Sequence, residues 1–508
     1  MNTIYSVPYS MKSRKKSNPF YFISKLNFYQ IISYILILSG ISIRIYHYLV
    51  NRSLWLDEAL LSNSIISSDF AGLLEPLDNR QIAPIGFLFA QKISVIIFGE
   101  NEFALRLFPL LCGILSLPFF YLLLKRLTDE KMVIPGLILF VFGKYLLYFS
   151  HEAKQYNLDV LFYSIVIYFF YLKDLAKDSY LKLIAKGILG GLLIWFSHIT
   201  IIFLVSIGSL LFIEALVKKD LEKIKKLLVP ISIGTISIGL NYFLFLRGNS
   251  NETIQITAFT SIGYFPPNLF QLKNLSWFYT IIIHLIEYPL GTTSGIFIFA
   301  FLLLGCFHII KSKKYKILLM GFPIFVHFLL SCFRFYPFYG RFILYTTVFI
   351  IVVLIMGFDF LIHWMPRFGF WISVIVILVF MCMPIKKCFK PFYFEEIKKP
   401  IAFIEKNESE NDLLYVYSIA THSFKFYQKK YTLPENVIMG NVYNFNTERY
   451  NMELEKMAQS GEERVWLLFS HIDKDQKQYF IDKTCQIGTL KSSYEAKGAS
   501  AYLFEIIK

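Results

Sequence analysis

The stretch FYQIISYILILSGISIRIYHYLV (Phe28–Val50) is apolar over the length that an α-helix needs to cross a bilayer. It is too long for the core of a signal peptide and has no small-residue cleavage site, so we interpret it as an uncleaved first span. The stretch WLDEALLSNSI (Trp55–Ile65) follows closely and carries two adjacent carboxylates, Asp57 and Glu58. Charge at the edge of hydrocarbon is costly, which favours a function. The alternative is the start of an interfacial helix, where acidic side chains favour the positive end of the dipole.

The composition is that of a membrane protein with many spans. Of the 508 residues, 56% are hydrophobic and 18% are aromatic, and the mean hydropathy is +0.52, far from that of soluble domains. The net charge of +15 comes from lysines that cluster in short loops between apolar runs. This pattern is typical of cytoplasmic loops, so the charge indicates topology and not nucleic-acid binding. The cysteines show neither zinc-site spacing nor a disulfide framework.

Apolar runs predict about eleven spans. They lie near residues 28–50, 104–124, 132–149, 155–172, 184–197, 199–217, 227–246, 291–310, 317–333, 342–362 and 368–385. The run at 82–98 is interrupted by Pro84, Gly86 and Lys92, and we place it along the outer face. The lysine-rich loops then all join the N-terminus on the cytoplasmic side, as the positive-inside rule requires: 125–131, 173–186, 218–226 and 311–316.

After about Pro384, charged residues become frequent and apolar runs shorten. Three stretches have the pattern of buried strands, at 412–420, 463–471 and 501–506. They alternate with helix-like stretches near 395–407, 421–430, 448–459 and 473–484. We therefore expect an α-helical polytopic membrane protein with three parts: a cytoplasmic N-terminus (1–27), a transmembrane domain (28–385) and a small extracytoplasmic α/β domain (386–508).

Two polar clusters face outward in this topology. The first is the pair Asp57 and Glu58, and the second lies in SHEAKQY, where His151, Glu152 and Lys154 occupy a very short turn between apolar runs. Bundled helices would bring such turns side by side. A tight turn must be polar in any case, so a turn without function is the alternative for the second cluster.

Three arginines are candidates for binding a phosphate. Arg334 and Arg341 bracket the outward stretch RFYPFYGR, and Arg80 precedes the run at 82–98. The planar guanidinium matches the geometry of a phosphate, although arginines at this depth also extend to phospholipid headgroups. Carboxylates that activate a nucleophile, arginines that hold a phosphate and apolar spans that hold a lipid tail together indicate group transfer from a lipid phosphate.

These stretches resemble the GT-C membrane glycosyltransferases, in the group of the protein O-mannosyltransferases and the lipid A aminoarabinose transferase. The resemblance rests on WLDEA, on IAPIGFLFAQKISVIIFGENEFALRLFPLLCGIL (Ile82–Leu115), on SHEAKQYNLDVLF and on YGRFILY (Tyr339–Tyr345). It covers roughly residues 28–385. Some relatives have a lysine just before the position of Pro84, where this chain has Ala83, so the phosphate role falls to other residues.

The resemblance implies a catalytic GT-C transmembrane domain in the cell (inner or plasma) membrane. It implies inverting transfer of a sugar from a polyprenyl-phosphate carrier to a hydroxyl acceptor at the outer face, with Asp57 as catalytic base and Glu58 as its neighbour. It matches His151 and Glu152 to the family's second polar cluster, beside which Lys154 lies in this chain. The donor phosphate is left to Arg341 or Arg80, and Arg334 is a further candidate from its position alone. No cofactor is required, but a divalent metal bound by Asp57, Glu58 and Glu152 is an alternative.

The acceptor stays open between a lipid, a glycan and a protein hydroxyl, and the sugar is not identified. The rival function is a multi-span transporter or flippase of lipid-linked saccharides. Such a protein would be expected to carry ionisable or helix-breaking residues in mid-span and internal symmetry. Here the charges gather at the outer surface instead, which favours the enzyme.

Overall fold

This computed structural model describes residues 26–249, 263–264, 271–292, 295–441 and 447–507. Most of the N-terminus that we assign to the cytoplasm lies outside the described residues.

The described part is mostly helical, with a small sheet near its C-terminal end. Its α-helices of five or more residues are α1 (Phe28–Val50), α2 (Leu56–Ser67), α3 (Ile85–Phe98), α4 (Glu102–Leu127), α5 (Glu130–Val141), α6 (Lys144–Tyr148), α7 (Tyr156–Val166), α8 (Tyr180–Phe196), α9 (Ile199–Val217), α10 (Leu221–Asn241), α11 (Leu272–Leu290), α12 (Gly295–Lys311), α13 (Tyr315–Leu319), α14 (Phe322–Cys332), α15 (Thr346–Trp364), α16 (Gly369–Cys388), α17 (Lys398–Asn407), α18 (Ala420–Tyr427), α19 (Thr447–Gln459) and α20 (Lys474–Thr484). Turns of π-helix extend α7 through Ile167–Tyr171 and α10 through Tyr242–Leu246.

Within the described ranges, seven helical segments are long and apolar enough to cross a membrane. They are α1, α4, α9, α10 with its π-helical extension, α13 with α14, α15 and α16. The bent pair of α5 and the helix at Lys144–His151 raises the number to eight. All eleven predicted segments fall on helices, but α7, α8 and α12 are shorter, and whether they also cross stays a prediction. The chain is a polytopic membrane protein, as its sequence predicts.

The run at 82–98 forms the helix α3, which has 14 residues. At 1.5 Å per residue it is about 21 Å long, less than the roughly 30 Å of a hydrocarbon core. Lys92 donates from Nζ to the carbonyls of Ile65 (3.0 Å) and Ile66 (3.1 Å) at the C-terminal end of α2. Helix α3 therefore packs beside α2, and its position along the outer face stays a prediction.

Helix α15 is buried along most of its length and organises the later spans. It packs closely on α12, because a Cβ on Gly305 would lie 2.0 Å from the carbonyl of Val353 and one on Gly357 would lie 2.3 Å from the carbonyl of Phe301. Small residues at both contacts let the two backbones meet, as is common between membrane helices.

The C-terminal sheet has five strands in the order β2-β1-β3-β5-β4. The strands are β1 (Leu413–Val416), β2 (Asn436–Met439), β3 (Arg464–Ser470), β4 (Gly488–Ala496) and β5 (Ala499–Ile506). β1 pairs in parallel with β2 and β3, whereas β5 pairs antiparallel with β3 and β4. The predicted small α/β domain is thus confirmed, with β1, β3 and β5 at the predicted positions.

Candidate active site

Two cationic side chains from distant parts of the sequence contact Asp57, which lies in the first turn of α2. Its Oδ1 lies 3.1 Å from the Nζ of Lys154, and the Nη1 of Arg341 donates to its Oδ2 at 2.5 Å. Lys154 follows the 3₁₀ turn Phe149–His151, and Arg341 lies within the 3₁₀ turn Gly340–Ile343. The structure thus brings a residue from each of three predicted outer loops together. We call Asp57, Lys154 and Arg341 the charged triad.

Neighbouring side chains hold both cations in place. Lys154 donates from Nζ to the Oε1 of Gln81 at 2.9 Å. The guanidinium of Arg341 lies over the ring of Tyr156 at 5.1 Å, and also near the rings of Trp55 (5.9 Å) and Phe342 (5.8 Å). Aromatic faces attract cations. The three rings therefore hold the guanidinium of Arg341 and do not neutralise its charge.

The triad keeps Asp57 ionised. Burial, the largest single influence, acts to raise the pKa of this carboxyl, but the ammonium of Lys154 and the guanidinium of Arg341 outweigh it and hold the pKa below its usual value. The side chain is still 16% exposed, against 5% for Lys154 and 22% for Arg341. Asp57 is therefore an accessible carboxylate beside two positive charges.

Glu58 has a different environment, although it is the next residue. It is fully buried, and Arg106 donates to both of its oxygens, from Nε at 2.8 Å and from Nη2 at 2.7 Å. Arg52 donates from Nη1 at 2.9 Å, and the backbone N–H of Ala153 donates at 2.8 Å. Glu58 thus ties the first loop to α4 and to the second polar cluster, with its oxygens fully occupied.

Glu152 is buried with one oxygen free. The Nε1 of Trp55 donates to its Oε1 at 3.2 Å, while no residue in the described ranges forms a hydrogen bond with its Oε2. Burial, followed by the nearby charge of Glu58, raises the pKa of Glu152 to about 7. This carboxyl therefore exchanges its proton near neutral pH, unlike Asp57.

The raised pKa of Glu152 predicts a pH-dependent stability. The folded protein keeps the proton up to about pH 7, whereas an unfolded chain loses it near 4.5. The stability that this proton contributes is fully present below pH 4.5 and is lost as the pH rises towards about 7. We expect thermal unfolding in detergent to show a fall in melting temperature over this range, and Glu152→Gln, which resembles the protonated acid, to flatten it. The same slope in both proteins would contradict the assignment, and Glu75→Gln, on an exposed loop, is the control.

His151 contacts residues outside the triad. Its ring stacks on that of His47 at 5.2 Å, and its carbonyl accepts from the Nη2 of Arg52 at 3.3 Å. His151 is buried against His47 of α1. In the structure, this predicted site residue therefore packs against a neighbouring helix.

The two other predicted phosphate-binding arginines are not seen in the triad. Arg334 is half-buried with a left-handed backbone (φ +61°), and its backbone N–H donates to the carbonyl of Ser331 at 3.0 Å. Arg80 lies in a 3₁₀ turn directly before Gln81, and its side chain is outside the described part of the structure. Arg341 alone of the three predicted arginines is shown next to Asp57.

Sequence reasoning missed Arg52 and Gln81, and gave Arg106 only as part of the family pattern. A signal for Arg106 was present, because an arginine inside an apolar run is costly unless it is paired. Its partner could not be read from the sequence, since Glu58 and Asp57 offer the same chemistry. Gln81 carries no such signal.

The carboxylates as placed do not fit a divalent metal. No group of three His, Cys, Asp or Glu side chains in the described residues is arranged to hold a metal ion. Both oxygens of Asp57 face cations, and those of Glu58 are occupied. Of these three carboxylates, Glu152 has an oxygen, Oε2, with no partner in the part of the chain that the structure describes. A metal would have to displace positive side chains, so we derive no step through one.

A cavity of about 460 Å³ lies beside the turn that carries Arg341, because His284 lines it and contacts Gly340. Tyr145, His284, Glu287 and Tyr288 are among the side chains that line it. The Nε2 of His284 accepts from the backbone N–H of Gly340 at 3.0 Å, directly before Arg341. A volume of this size holds a small organic ligand, so the cavity is a candidate substrate site.

Part of the chain matches a known protein family. Residues 83–240 match the family described as dolichyl-phosphate-mannose-protein mannosyltransferase. No curated protein matches the chain at a significant level.

Solved structures show the same fold at low sequence identity. ArnT from Cupriavidus metallidurans bound to undecaprenyl phosphate matches with a TM-score of 0.53 and 11% identity over 96% of this chain and 98% of that chain. The apo state of the same protein gives a TM-score of 0.51 and 11% identity over 91% of this chain and 97% of that chain. The Archaeoglobus fulgidus oligosaccharyltransferase, in complex with Zn and sulfate, gives a TM-score of 0.51 and 13% identity over 93% of this chain and 72% of that chain. The structural likeness shows the fold, and the matched segment connects it to sugar transfer. The chain thus has the fold of these solved membrane transferases, and its residues 83–240 are similar to a mannosyltransferase family.

Proposed function

We propose that the protein transfers a sugar, with inversion, from a polyprenyl-phosphate carrier to a hydroxyl acceptor at the extracytoplasmic face of the membrane. The observation that carries the proposal is the charged triad, which sets an ionised, partly exposed carboxylate beside two cations. Undecaprenyl phosphate, bound by a structural relative, is a carrier of the proposed kind. The distribution of lysine-rich loops supports the extracytoplasmic face.

The triad supplies the two charges that the reaction needs. The acceptor oxygen forms a bond to the anomeric carbon while the bond from that carbon to the phosphate oxygen breaks, and the electron pair leaves with the polyprenyl phosphate. The transition state resembles an oxocarbenium ion. Asp57 accepts the hydroxyl proton as the new bond forms. Arg341 and Lys154 stabilise the charge that grows on the departing phosphate, because fixed cations need no reorganisation during the reaction.

In the structure these cations contact Asp57, so a bound phosphate would share them with the carboxylate. Charge-assisted bonds from a guanidinium can be divided between two anions, since it carries five N–H donors. The shared cations would place the carrier phosphate within a few ångströms of the Asp57 carboxylate.

Reconstitution distinguishes transfer from transport. We expect the protein in liposomes, given polyprenyl-phosphate sugars with a labelled sugar and mixed hydroxyl acceptors, to release free polyprenyl phosphate and form a labelled glycoside. Movement of the intact lipid-linked sugar between leaflets, with no bond broken, would instead support the flippase.

Lys154 contributes both to catalysis and to the pKa of Asp57. We expect Lys154→Met to lower kcat by about a hundredfold to a thousandfold, the range for one preorganised electrostatic group. Without the ammonium, burial raises the pKa of Asp57, so the acid limb of the pH–rate profile should move to higher pH. The profile of the residual activity measures this shift. An unmoved acid limb would remove Lys154 from contact with the base, and Lys406→Met, at an exposed position, is the control.

A further inference from the structure

The helix that carries Asp57 has no cap of its own. Trp55, at the N-cap position of α2, makes no side-chain hydrogen bond to the first turn. The first N–H groups of a helix need partners from elsewhere. The C-terminal part of the chain supplies them around this start: Ser53 N–H donates to the Oε1 of Glu396 at 2.9 Å, Leu54 N–H to the hydroxyl of Tyr427 at 2.8 Å, and Leu56 N–H to the Oε2 of Glu395 at 3.1 Å.

Glu395 is the partner next to the site, because Leu56 directly precedes Asp57. Its carboxylate is buried and is itself held by the C-terminal domain. The Nδ1 of His471 lies 2.5 Å from its Oε1, and the hydroxyl of Ser470 donates to its Oε2 at 3.2 Å. A carboxylate held from two sides is a rigid cap, and its negative charge suits the positive end of α2.

Other contacts fix the same junction. The ring of Trp55 stacks on that of Phe394 at 4.9 Å. Glu102, at the start of α4, lies 3.2 Å from the Nζ of Lys398 and 3.1 Å from that of Lys430. The first loop is therefore anchored to the C-terminal domain by backbone, aromatic and ionic contacts, so that domain limits how far α2 can move.

We propose that Glu395, held by His471, is a positioning residue for sugar transfer: it fixes the first turn of α2 and thereby the place of the Asp57 carboxylate. The inference rests on the proposed function, in which Asp57 is the base. Reacting groups must be placed within a fraction of an ångström, and a misplacement of about 1 Å can lower a rate by about a hundredfold. The C-terminal domain thus acts on the reaction without touching the substrate.

Steady-state kinetics of the full chain in liposomes test the inference. We expect Glu395→Ala to lower kcat by about ten- to a hundredfold while the KM for the carrier changes by less than about threefold, because Arg341 and Lys154 remain. Glu395→Gln keeps an acceptor for Leu56 N–H and should lose less. His471→Ala should lower kcat, and His471→Asn, whose amide can still donate to Glu395, should restore it. Glu405→Ala is the matched control, since Glu405 accepts from the N–H of Thr432 at 2.7 Å elsewhere in the domain.

Hydrogen exchange separates this inference from the proposed function. We expect peptides that cover Ser53–Glu58 to exchange faster in Glu395→Ala, with the melting temperature close to that of the natural chain. An unchanged kcat in Glu395→Ala, with transfer intact in the natural chain, would overturn the positioning role and leave the proposed function standing. If the natural chain transfers no sugar but Glu395→Ala still exchanges faster, the proposed function is overturned and the role of Glu395 as a cap of α2 stands. An equal loss in His471→Ala and His471→Asn would also overturn the role of His471.

Discussion

We expect the Asp57→Asn protein to transfer sugar about 10² to 10⁴ times more slowly than the natural chain, the usual contribution of a general base. The amide cannot take the acceptor proton, but it has the size of the carboxylate and can still accept hydrogen bonds from Lys154 and Arg341. Carrier binding should therefore persist, because both cations remain. The measurements are the rate of glycoside formation in liposomes and the binding of labelled polyprenyl phosphate.

The control for Asp57→Asn is Glu75→Gln, which removes an exposed carboxylate from the same loop and should leave the rate unchanged. Retention of the natural rate by Asp57→Asn would remove Asp57 from the mechanism. Loss of carrier binding together with the rate would mean instead that the substitution disturbs the two cations.

The second large effect is a loss of stability in Glu58→Ala. Glu58→Ala leaves the guanidinium groups of Arg52 and Arg106 buried without their shared anion. Removal of one partner from a buried ion pair costs about 3–5 kcal/mol. The protein should show a lower melting temperature in detergent and a lower yield in the membrane, before any effect on chemistry is considered.

The comparison for Glu58→Ala is Glu222→Ala, which removes an exposed carboxylate that lies 3.9 Å from the half-buried ammonium of Lys226. Exposed pairs contribute about 0–1 kcal/mol, so its melting temperature should barely change. A Glu58→Ala protein with the natural melting temperature but no transfer would contradict the structural role and assign Glu58 to the reaction.

The sequence predicted those parts of the fold that depend on long apolar patterns. Each of the eleven predicted spans lies on a helix because a bilayer demands long apolar runs, which stand out in a sequence. The strands β1, β3 and β5 were predicted because they are apolar and buried. β4 was missed because its stretch GTLKSSYEA is mostly polar and exposed, and β2 was missed because it is short and lies at the edge of the sheet.

The candidate site was predictable in its residue types but not in its pairings. The outward loops marked Asp57, Lys154 and Arg341 as candidates, and the structure brings them together. No local pattern distinguishes Asp57 from Glu58, since that difference depends on Arg106 in α4 and on the turn at Ala153. The contact of Glu395 with Leu56 joins residues 339 positions apart, and it follows from the packing of the C-terminal domain.

Membrane sidedness tests the central claim most directly, because the triad can meet an extracytoplasmic carrier only if the first loop faces away from the cytosol. The measurement is labelling of intact cells with a membrane-impermeant thiol reagent, in a chain whose exposed Cys382 and Cys485 are replaced by serine. We predict that Glu75→Cys is labelled in intact cells and that Ser312→Cys is labelled only after permeabilisation. Labelling of Ser312→Cys in intact cells, with Glu75→Cys protected, would place the triad in the cytosol and contradict the account.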